Sequence, residues 1–200
     1  MFIKIIRLLI KKTTKKSQRK EKSEKNLQKN SALWFISCYN AVEESMEEDV
    51  NMDVKNLSRY IIGKFQEKEI QITNLKLQKI LYYVQGYFLK KYHRAAFASS
   101  IFNWPYGPVV KEAYFEYSDN GARPITTTTI STDINGITET DKKIINAILE
   151  KTYYESASKL VEKTHNEMPW KSTVTGQEIS IQSINSFFRN YDPLNIGDKI

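Results

Sequence analysis

One long helical segment constrains the fold of this chain more than any other feature of its sequence. Residues 73–92 carry apolar side chains at three- and four-residue steps, contain no proline and begin at Thr73, a residue that can cap a helix. On a helical projection, Lys76, Lys79 and Tyr83 share one side, whereas apolar residues spread over much of the opposite half. A helix with so broad an apolar face has to pack against several neighbours, so we predict a central helix near 73–92.

The same segment places polar and small residues where the helix is expected to be buried. Gln78 and Gln85 project into the flank of the apolar face, and a buried amide without a partner costs about 1–3 kcal/mol. We expect both amides to belong to a structural hydrogen-bond network, with direct contact to a ligand as the alternative. Gly86 lies mid-helix, where glycine costs about 1 kcal/mol relative to alanine, and it therefore predicts the close approach of another backbone or a large ring.

Shorter helices are predicted on both sides of the central one. Apolar spacing and capping residues predict helices over 54–68 after Asp53, over 109–117, from Asp141, from Ser156, and over 181–191. A β-branched run and an Asn-Gly pair predict a small antiparallel β element near 125–139. With 40% hydrophobic and 26% charged residues, the composition is that of an ordinary packed domain. The expected fold class is therefore mainly α (α+β), a compact single helical domain.

A stiff corner is predicted between the central helix and the helix that follows it. Pro105 and Pro108 fix φ near −65°, and Gly107 between them allows a positive φ. Pro108 also suits the first turn of the following helix, since its missing N–H would be unpaired there. Trp104 and Tyr106 either cover a small core or form part of a binding surface, because such rings contribute much of the energy of protein interfaces.

The positive charge of the chain is concentrated near its beginning. The net charge is +7 over 200 residues, but residues 1–30 hold 11 Lys/Arg and 2 acidic residues, and residues 31–50 hold 5 acidic residues and no base. We expect residues 1–50 to be an extension, either a solvated arm or partly a mis-assigned start, since Met46 and Met52 offer alternative starts. No specific binding of nucleic acid is predicted for the domain; the basic arm favours weak, non-specific contact with phosphate or anionic lipid.

Cysteine and histidine are too scarce for the common structural sites. Cys38 is the single cysteine, which excludes an internal disulfide framework, and His93 and His165 are the only histidines, too few for a usual zinc site. We expect no metal, no cofactor and a reducing, cytoplasmic location. The apolar runs at 1–10 and 32–42 are too short or too polar to span a bilayer, although a signal peptide that ends at a lipidated Cys38 is the alternative.

Three short motifs together resemble the signature of a known family. They are, in chain order, ITNLKLQKILYYVQG at 72–86, WPYGPVV at 104–110 and THNEMPW at 164–170. In this order and spacing they are similar to the signature blocks of the Panacea domain, also called the SocA-like antitoxin domain. The resemblance predicts that this domain covers 52–192, between the N-terminal extension and a tail, 193–200, that we expect to fray.

The resemblance implies an antitoxin of a bacterial or phage-borne toxin–antitoxin pair. It implies a type II-like mechanism, in which the antitoxin neutralises a cognate protein toxin, encoded nearby, by direct stoichiometric binding. The residues that it marks, for toxin binding or as family signature, are Lys76, Gln78, Lys79, Tyr83, Gln85, Trp104, Tyr106, Gly107, Pro108, Thr164, His165, Glu167, Pro169 and Trp170. We predict a binding surface made of the 104–108 corner, the Lys76/Lys79/Tyr83 face and the 165–170 segment.

The residues themselves give little support to an enzyme. The sequence contains no glycine-rich phosphate loop, no nucleophile elbow and no pair of carboxylates at helical spacing in an apolar face. His165 is the best candidate for chemistry, as a general base oriented by Glu167, but no Ser or Cys nucleophile can be placed beside it. We favour a structural His165, hydrogen-bonded to backbone, that holds the Pro169-Trp170 corner against the central helix.

Two other functions stay open at this point. The protein can act as an adaptor that delivers its partner to a cellular protease, with the N-terminal arm and the tail as handles. It can also be a hydrolase that uses His165.

Overall fold

The computed structural model describes residues 52–126 and 137–197. In these residues the chain forms seven α-helices and one two-stranded antiparallel sheet, so the predicted fold class is confirmed. The elements are α1 (Val54–Glu67), α2 (Asn74–Tyr92), β1 (Ile101–Trp104), β2 (Gly107–Val110), α3 (Lys111–Glu116), a 3₁₀ turn (Ser118–Asn120), α4 (Glu139–Thr152), α5 (Ala157–His165), α6 (Met168–Lys171) and α7 (Ile181–Asn190). In the described part of the chain, no helix is long and apolar enough to cross a membrane.

The helix α2 is the centre of the domain, as its broad apolar face predicts. Thr73 caps it by accepting a hydrogen bond from the backbone N–H of Lys76, and the helix ends at His93, whose φ is 57°. It packs against α1, α3, α4, α5, α7 and β2. Because 15 of its 19 residues are buried, the helix is covered over most of its surface, including the side that carries Lys76 and Lys79.

Gly86 provides the space for a ring of α7. A Cβ atom added at this position would overlap the ring of Phe188. The same ring makes edge contacts with Tyr82, Tyr83 and Tyr87, with centroid distances of 5.6, 6.3 and 5.2 Å. The predicted close approach at Gly86 is therefore confirmed, and the approaching group is an aromatic side chain rather than a backbone.

The two-stranded sheet of the described residues lies at the predicted stiff corner. Trp104 pairs with Gly107, and Pro105 and Tyr106 form the turn between the strands. Pro108 is a residue of β2 rather than the first turn of a helix, and α3 begins only at residue 111. The strand tolerates this proline because the residue faces away from β1: its carbonyl oxygen bonds a side chain of α2, so the missing N–H removes no bond of the ladder.

The predicted β element near 125–139 falls mostly outside the described residues, which omit 127–136. On its described flank, the N–H of Ile125 donates to the carbonyl oxygen of Ile72 at 2.8 Å, and Thr73 and Pro124 form an isolated bridge. The start of the segment is therefore attached to the N-terminal end of α2.

The outer edge of β1 is paired as well. The N–H of Asn103 donates to the carbonyl oxygen of Gln177 at 2.9 Å, and the N–H of Ile179 donates to that of Ile101 at 2.8 Å. The segment 176–179 thus lies beside β1 in place of a third strand, and β1 is hydrogen-bonded on both sides.

The remaining helices follow the predicted capping residues with small differences. Asp53 caps α1, and Ser156 caps α5, as predicted. The cap of α4 is Thr138, with Asp141 completing a capping box as its third residue, so this helix begins earlier than the predicted start at Asp141. Hydroxyl and carboxylate groups three residues apart satisfy each other's backbone N–H, which explains why either residue alone looks like the start of the helix.

The chain stays packed beyond α7, where we expected it to fray. Leu194 and Ile196 are buried. Tyr87 of α2 donates to the carboxylate of Asp192 and accepts from the N–H of Leu194, which lies 3.0 Å from its hydroxyl oxygen. The described residues after Asn190 therefore extend the cover over the central helix.

Candidate functional site

The three sequence motifs meet at one buried place beside α2, which we call the motif junction. It consists of Gln78, Lys79, Tyr82 and Tyr83 from α2, residues 107–110 of β2, and residues 164–170 around the end of α5 and α6. The geometry of this junction decides which motif residues are available to a partner.

Two neighbouring side chains of α2 close the outer edge of β2. The side-chain oxygen of Gln78 accepts from the N–H of Val110 at 2.9 Å, and the amine of Lys79 donates to the carbonyl oxygen of Pro108 at 2.9 Å. An unpaired backbone group at a buried edge is costly, and these side chains replace the strand that would otherwise pair with it. The helix motif therefore serves to terminate the sheet.

Both buried amides of α2 are satisfied inside the protein. The amide nitrogen of Gln78 donates to Asn74 at 2.9 Å, and Asn74 donates in turn to the carbonyl oxygen of Tyr114 at 2.9 Å. The side-chain oxygen of Gln85 accepts from the N–H groups of Ala96 and Phe97, at 2.9 and 3.2 Å. The prediction of a structural network is confirmed for both glutamines.

Lys79 is a fully buried amine, and Gly107 makes room for it. Lys79 is 0% exposed, and burial lowers the pKa of its amine to about 7. A Cβ atom on Gly107 would lie 2.7 Å from Cε of Lys79 and 2.9 Å from the hydroxyl oxygen of Thr164, and Gly107 has a φ of +100°. One residue from each motif meets at this point, and only glycine fits between the other two.

The carboxylate of Glu167 is held by two tyrosines of α2. Tyr82 and Tyr83 donate to its two oxygens at 2.7 and 2.9 Å. Burial raises the pKa of Glu167 to about 7 although both hydrogen bonds lower it, and burial followed by the charge of Glu167 raises the pKa of each tyrosine. Because both of its oxygens bond tyrosines, Glu167 does not orient His165 as the general-base hypothesis expected.

His165 is held by stacking rather than by the backbone hydrogen bond that we expected. Its ring lies 3.8 Å from the ring of Trp170 at an angle of 12°, and the indole N–H of Trp170 donates to the carbonyl oxygen of Trp104 at 3.1 Å. Burial and the charge of Lys79 lower the pKa of His165, and its Nε2 atom has no hydrogen-bond partner among the described residues. With Pro169 buried, the third motif joins α5 to the turn of the sheet.

The predicted Lys76/Lys79/Tyr83 face is buried and is not a surface. Lys76 is 6% exposed, and Lys79 and Tyr83 are 0% exposed. The amine of Lys76 donates to the carbonyl oxygen of Tyr153 at 2.7 Å and lies 4.7 Å from the centre of the Phe65 ring, and burial lowers its pKa to about 8. Polar ends on one side of a helix indicate solvent only when no group of another element accepts hydrogen bonds from them. Here backbone carbonyl oxygens accept from both lysines, and the carboxylate of Glu167 accepts from Tyr83.

The turn of the sheet is an exposed part of the predicted surface, as are Asn166 and Met168 of the 165–170 segment. Tyr106 is 71% exposed, and the ring of Trp104 makes an edge contact with Tyr114 at 4.9 Å. Beside them lies a groove of about 390 Å³, lined by Thr73, Asn74, Leu75, Gln78, Trp104, Pro105, Tyr106, Val109, Tyr114, Gly121, Ala122 and Ala157. We call this the corner groove.

Sequence reasoning missed most of the corner groove. Tyr114, Ala122 and Ala157 come from three separate places in the chain, and none belongs to a motif. For the part of the groove that was missed, Leu75 was the one available sequence signal, because it is an apolar residue of α2 that lies off the fully buried side. Among the described residues, no group of three His, Cys, Asp or Glu side chains is placed to hold a metal ion.

Comparison with known proteins supports the motif resemblance. The family model "Antitoxin SocA-like, Panacea domain" matches residues 77–171. Antitoxin SocA of Caulobacter vibrioides (strain NA1000 / CB15N) is 31% identical over 88 residues, which are 44% of this chain and 47% of the relative. The matched region thus spans about half the length of that relative, and no solved structure matches the chain. Residues 77–171 are therefore similar to the Panacea domain of SocA-like antitoxins, and the resemblance that the three motifs indicate is confirmed.

Proposed function

We propose that this protein is the antitoxin of a toxin–antitoxin pair and neutralises a protein toxin by direct, stoichiometric, type II-like binding. The observation that carries the proposal is the match of residues 77–171 to the SocA-like antitoxin domain, together with the 31% identity to a named antitoxin. The cognate toxin is the proposed partner, and the cytoplasm is the proposed location.

The contacts of the motif junction support a binding protein rather than an enzyme. Lys79 and Glu167 are the two buried ionisable groups of the junction. Lys79 donates to the carbonyl oxygen of Pro108, and Glu167 accepts from two tyrosines. Groups held in this way fix the positions of α2, β2 and α5. In this proposal the signature residues of the junction are thus a scaffold, and the toxin binds residues whose positions the scaffold fixes.

The toxin-binding surface in this proposal is the turn of the sheet and its surroundings. Trp104 and Tyr106 stand on a turn that is fixed by Pro105, by the bond from Trp170 and by pairing on both sides of β1. Large rings on a rigid turn lose little conformational entropy on binding, which favours affinity. Lys76 and Lys79, which are buried, contribute in this proposal through the fold and make no contact with the toxin.

Co-expression tests this function. The open reading frame next to this gene is expressed from an inducible promoter, alone and together with the full chain, and growth is followed. We expect the neighbour to arrest growth alone, the pair to restore growth, and the two proteins to co-purify in a fixed ratio. A neighbour that is harmless alone, or that stays toxic beside this protein, contradicts the proposal.

The amount of toxin in the rescued cells separates binding from delivery to a protease. Quantitative immunoblotting of the tagged neighbour should show the same level with and without this protein, because stoichiometric binding leaves the toxin intact. A level that falls several-fold, and recovers when cellular proteases are deleted, would replace neutralisation by binding with the adaptor function.

A further inference from the structure

The corner groove has an apolar lining that offers no charge. It is formed by the start of α2, by the turn between β1 and β2, by Tyr114 of α3 and by the first residue of α5. None of the described residues that line it is charged. A charged side chain would lose water on entering and would find no counter-charge there, so the groove selects for uncharged occupants.

The threonine and amide side chains in the lining are already engaged by the protein. The hydroxyl of Thr73 accepts from the N–H of Lys76 at 3.3 Å. Asn74 and Gln78 bond each other, and they also bond the backbone of Tyr114 and of β2. What the groove presents to an occupant is therefore mainly the surface of rings and aliphatic groups, and Tyr106 at 71% exposed stands at its side.

The sheet beside the groove has no open edge for an added strand. On the β2 side, the N–H of Val110 and the carbonyl oxygen of Pro108 are bonded by Gln78 and Lys79. On the β1 side, the segment 176–179 already pairs with the strand. Addition of a strand needs free backbone groups, so a polypeptide that binds here does so through its side chains, as a helix does when it lies in an apolar groove.

We propose that the corner groove binds the toxin and that its occupant is the uncharged, apolar face of a helix of the toxin. This inference rests on the proposed function and adds to it the place of contact and the chemistry of the contacting segment. The helix places apolar side chains in the groove and covers the ring of Tyr106.

A matched pair of substitutions at the start of α5 tests the inference. Ala157 lines the groove, whereas Ser158 is exposed and does not. Both residues lie in the first turn of α5, which follows the cap Ser156, and a carboxylate there is compatible with the helix dipole. A157E and S158E therefore add the same charge to the same turn, and only A157E puts it into the groove.

The measurement is calorimetric titration of the full-length chain with the purified product of the adjacent open reading frame. We expect S158E to bind within twofold of the original protein and A157E to bind at least tenfold more weakly, with no rescue of growth. Should A157E bind as S158E does, the groove is not the contact and the inference is overturned, while the antitoxin function stands. Should the original chain fail to bind, the proposed function itself fails.

Two further arms keep the result clear. If A157E melts well below S158E, a second pair of variants is used. Ala122→Glu changes an exposed lining residue outside the helices, and Thr126→Glu is its control. Nile red, an uncharged dye, reports on small apolar ligands: a variant that loses the dye but keeps the partner protein would assign the groove to a small molecule and overturn the inference.

Hydrogen exchange identifies the occupant. On complex formation, we expect one helical, uncharged segment of the partner to gain protection together with residues 104–106. Protection of a charged segment, or of an extended strand along β1 or β2, would contradict the proposed chemistry.

Discussion

The motif junction and the corner groove share β2 and Gln78, but their side chains differ in whether they are available to a partner. In the junction these groups are buried and already hydrogen-bonded: both tyrosines donate to Glu167, and Lys79 donates to the carbonyl oxygen of Pro108. In the groove, the rings of Trp104 and Tyr106 remain accessible beside an uncharged lining. The difference teaches that a signature motif can mark the scaffold, while the contact surface is formed by residues that the motif only positions.

The largest effect that separates the two regions is the pH dependence created by Lys79. Its pKa is lowered from an ordinary value of 10.5 to about 7, so between those values the unfolded chain binds more protons and stability rises with pH. Lys79→Met should remove about 3 kcal/mol of that rise between pH 7 and pH 9.5, and leave the smaller rise from Lys76. Denaturant unfolding at pH 7 and pH 9.5 measures it, and the exposed Lys151→Met should keep the full rise. A junction in which Lys79 has solvent access would show no difference between these variants.

Glu167 produces the opposite dependence at lower pH. Its pKa is raised from 4.5 to about 7, so the folded protein binds the additional proton and stability falls as pH rises from 4.5 to 7. Glu167→Gln should abolish about 2 kcal/mol of that fall between pH 5 and pH 7, because the amide keeps the shape without the charge. Unfolding curves at pH 5 and pH 7 test this, with the exposed Glu162→Gln as control. If Glu167→Gln retains the fall, another group of the domain causes it.

Gly107 and Gly121 allow a third comparison, since both have a positive φ but only Gly107 is crowded. Nothing lies within 4 Å of a Cβ atom placed on Gly121, whereas a Cβ atom on Gly107 meets Lys79 and Thr164. Alanine should be strained at either position, and Gly107→Ala should cost about 2 kcal/mol more than Gly121→Ala because it also overpacks the junction. Equal losses of unfolding free energy would mean that Lys79 moves aside, and would weaken the view of the junction as a rigid scaffold.

The sequence predicted those features of the fold that depend on local periodicity and capping. The bounds of α1 and α2, the caps at Thr73 and Ser156, and the ring against Gly86 all follow from patterns within one segment. The buried state of Gln78 was predictable for the same reason, because an amide beside an apolar arc has to find a partner.

The sheet and the fate of the lysines could not be predicted in this way. Pro108 looks like the start of a helix, and it is tolerated in β2 because its missing N–H faces away from β1, toward the edge that side chains of α2 close. Likewise, Lys76 looks exposed until the carbonyl oxygen of Tyr153, 77 residues away in the sequence, is seen to accept a hydrogen bond from its amine. Non-local partners decide these positions, and a periodic pattern contains no information about them.

The smallest effect on stability belongs to the groove, where it should coincide with a large effect on binding. Tyr106 is 71% exposed and lines the groove, whereas Tyr154 is 87% exposed and does not. Replacing either tyrosine by alanine should change the unfolding free energy by less than about 0.5 kcal/mol, because neither ring is packed in the core.

If the toxin covers the corner, Tyr106→Ala should weaken its binding by about 2 kcal/mol, as the loss of an interface anchor does, and Tyr154→Ala should leave it unchanged. Calorimetric titration of both variants with the same partner decides the matter. If only Tyr154→Ala weakens binding, the contact surface lies away from the corner. If neither variant weakens binding, the toxin binds another face of the domain.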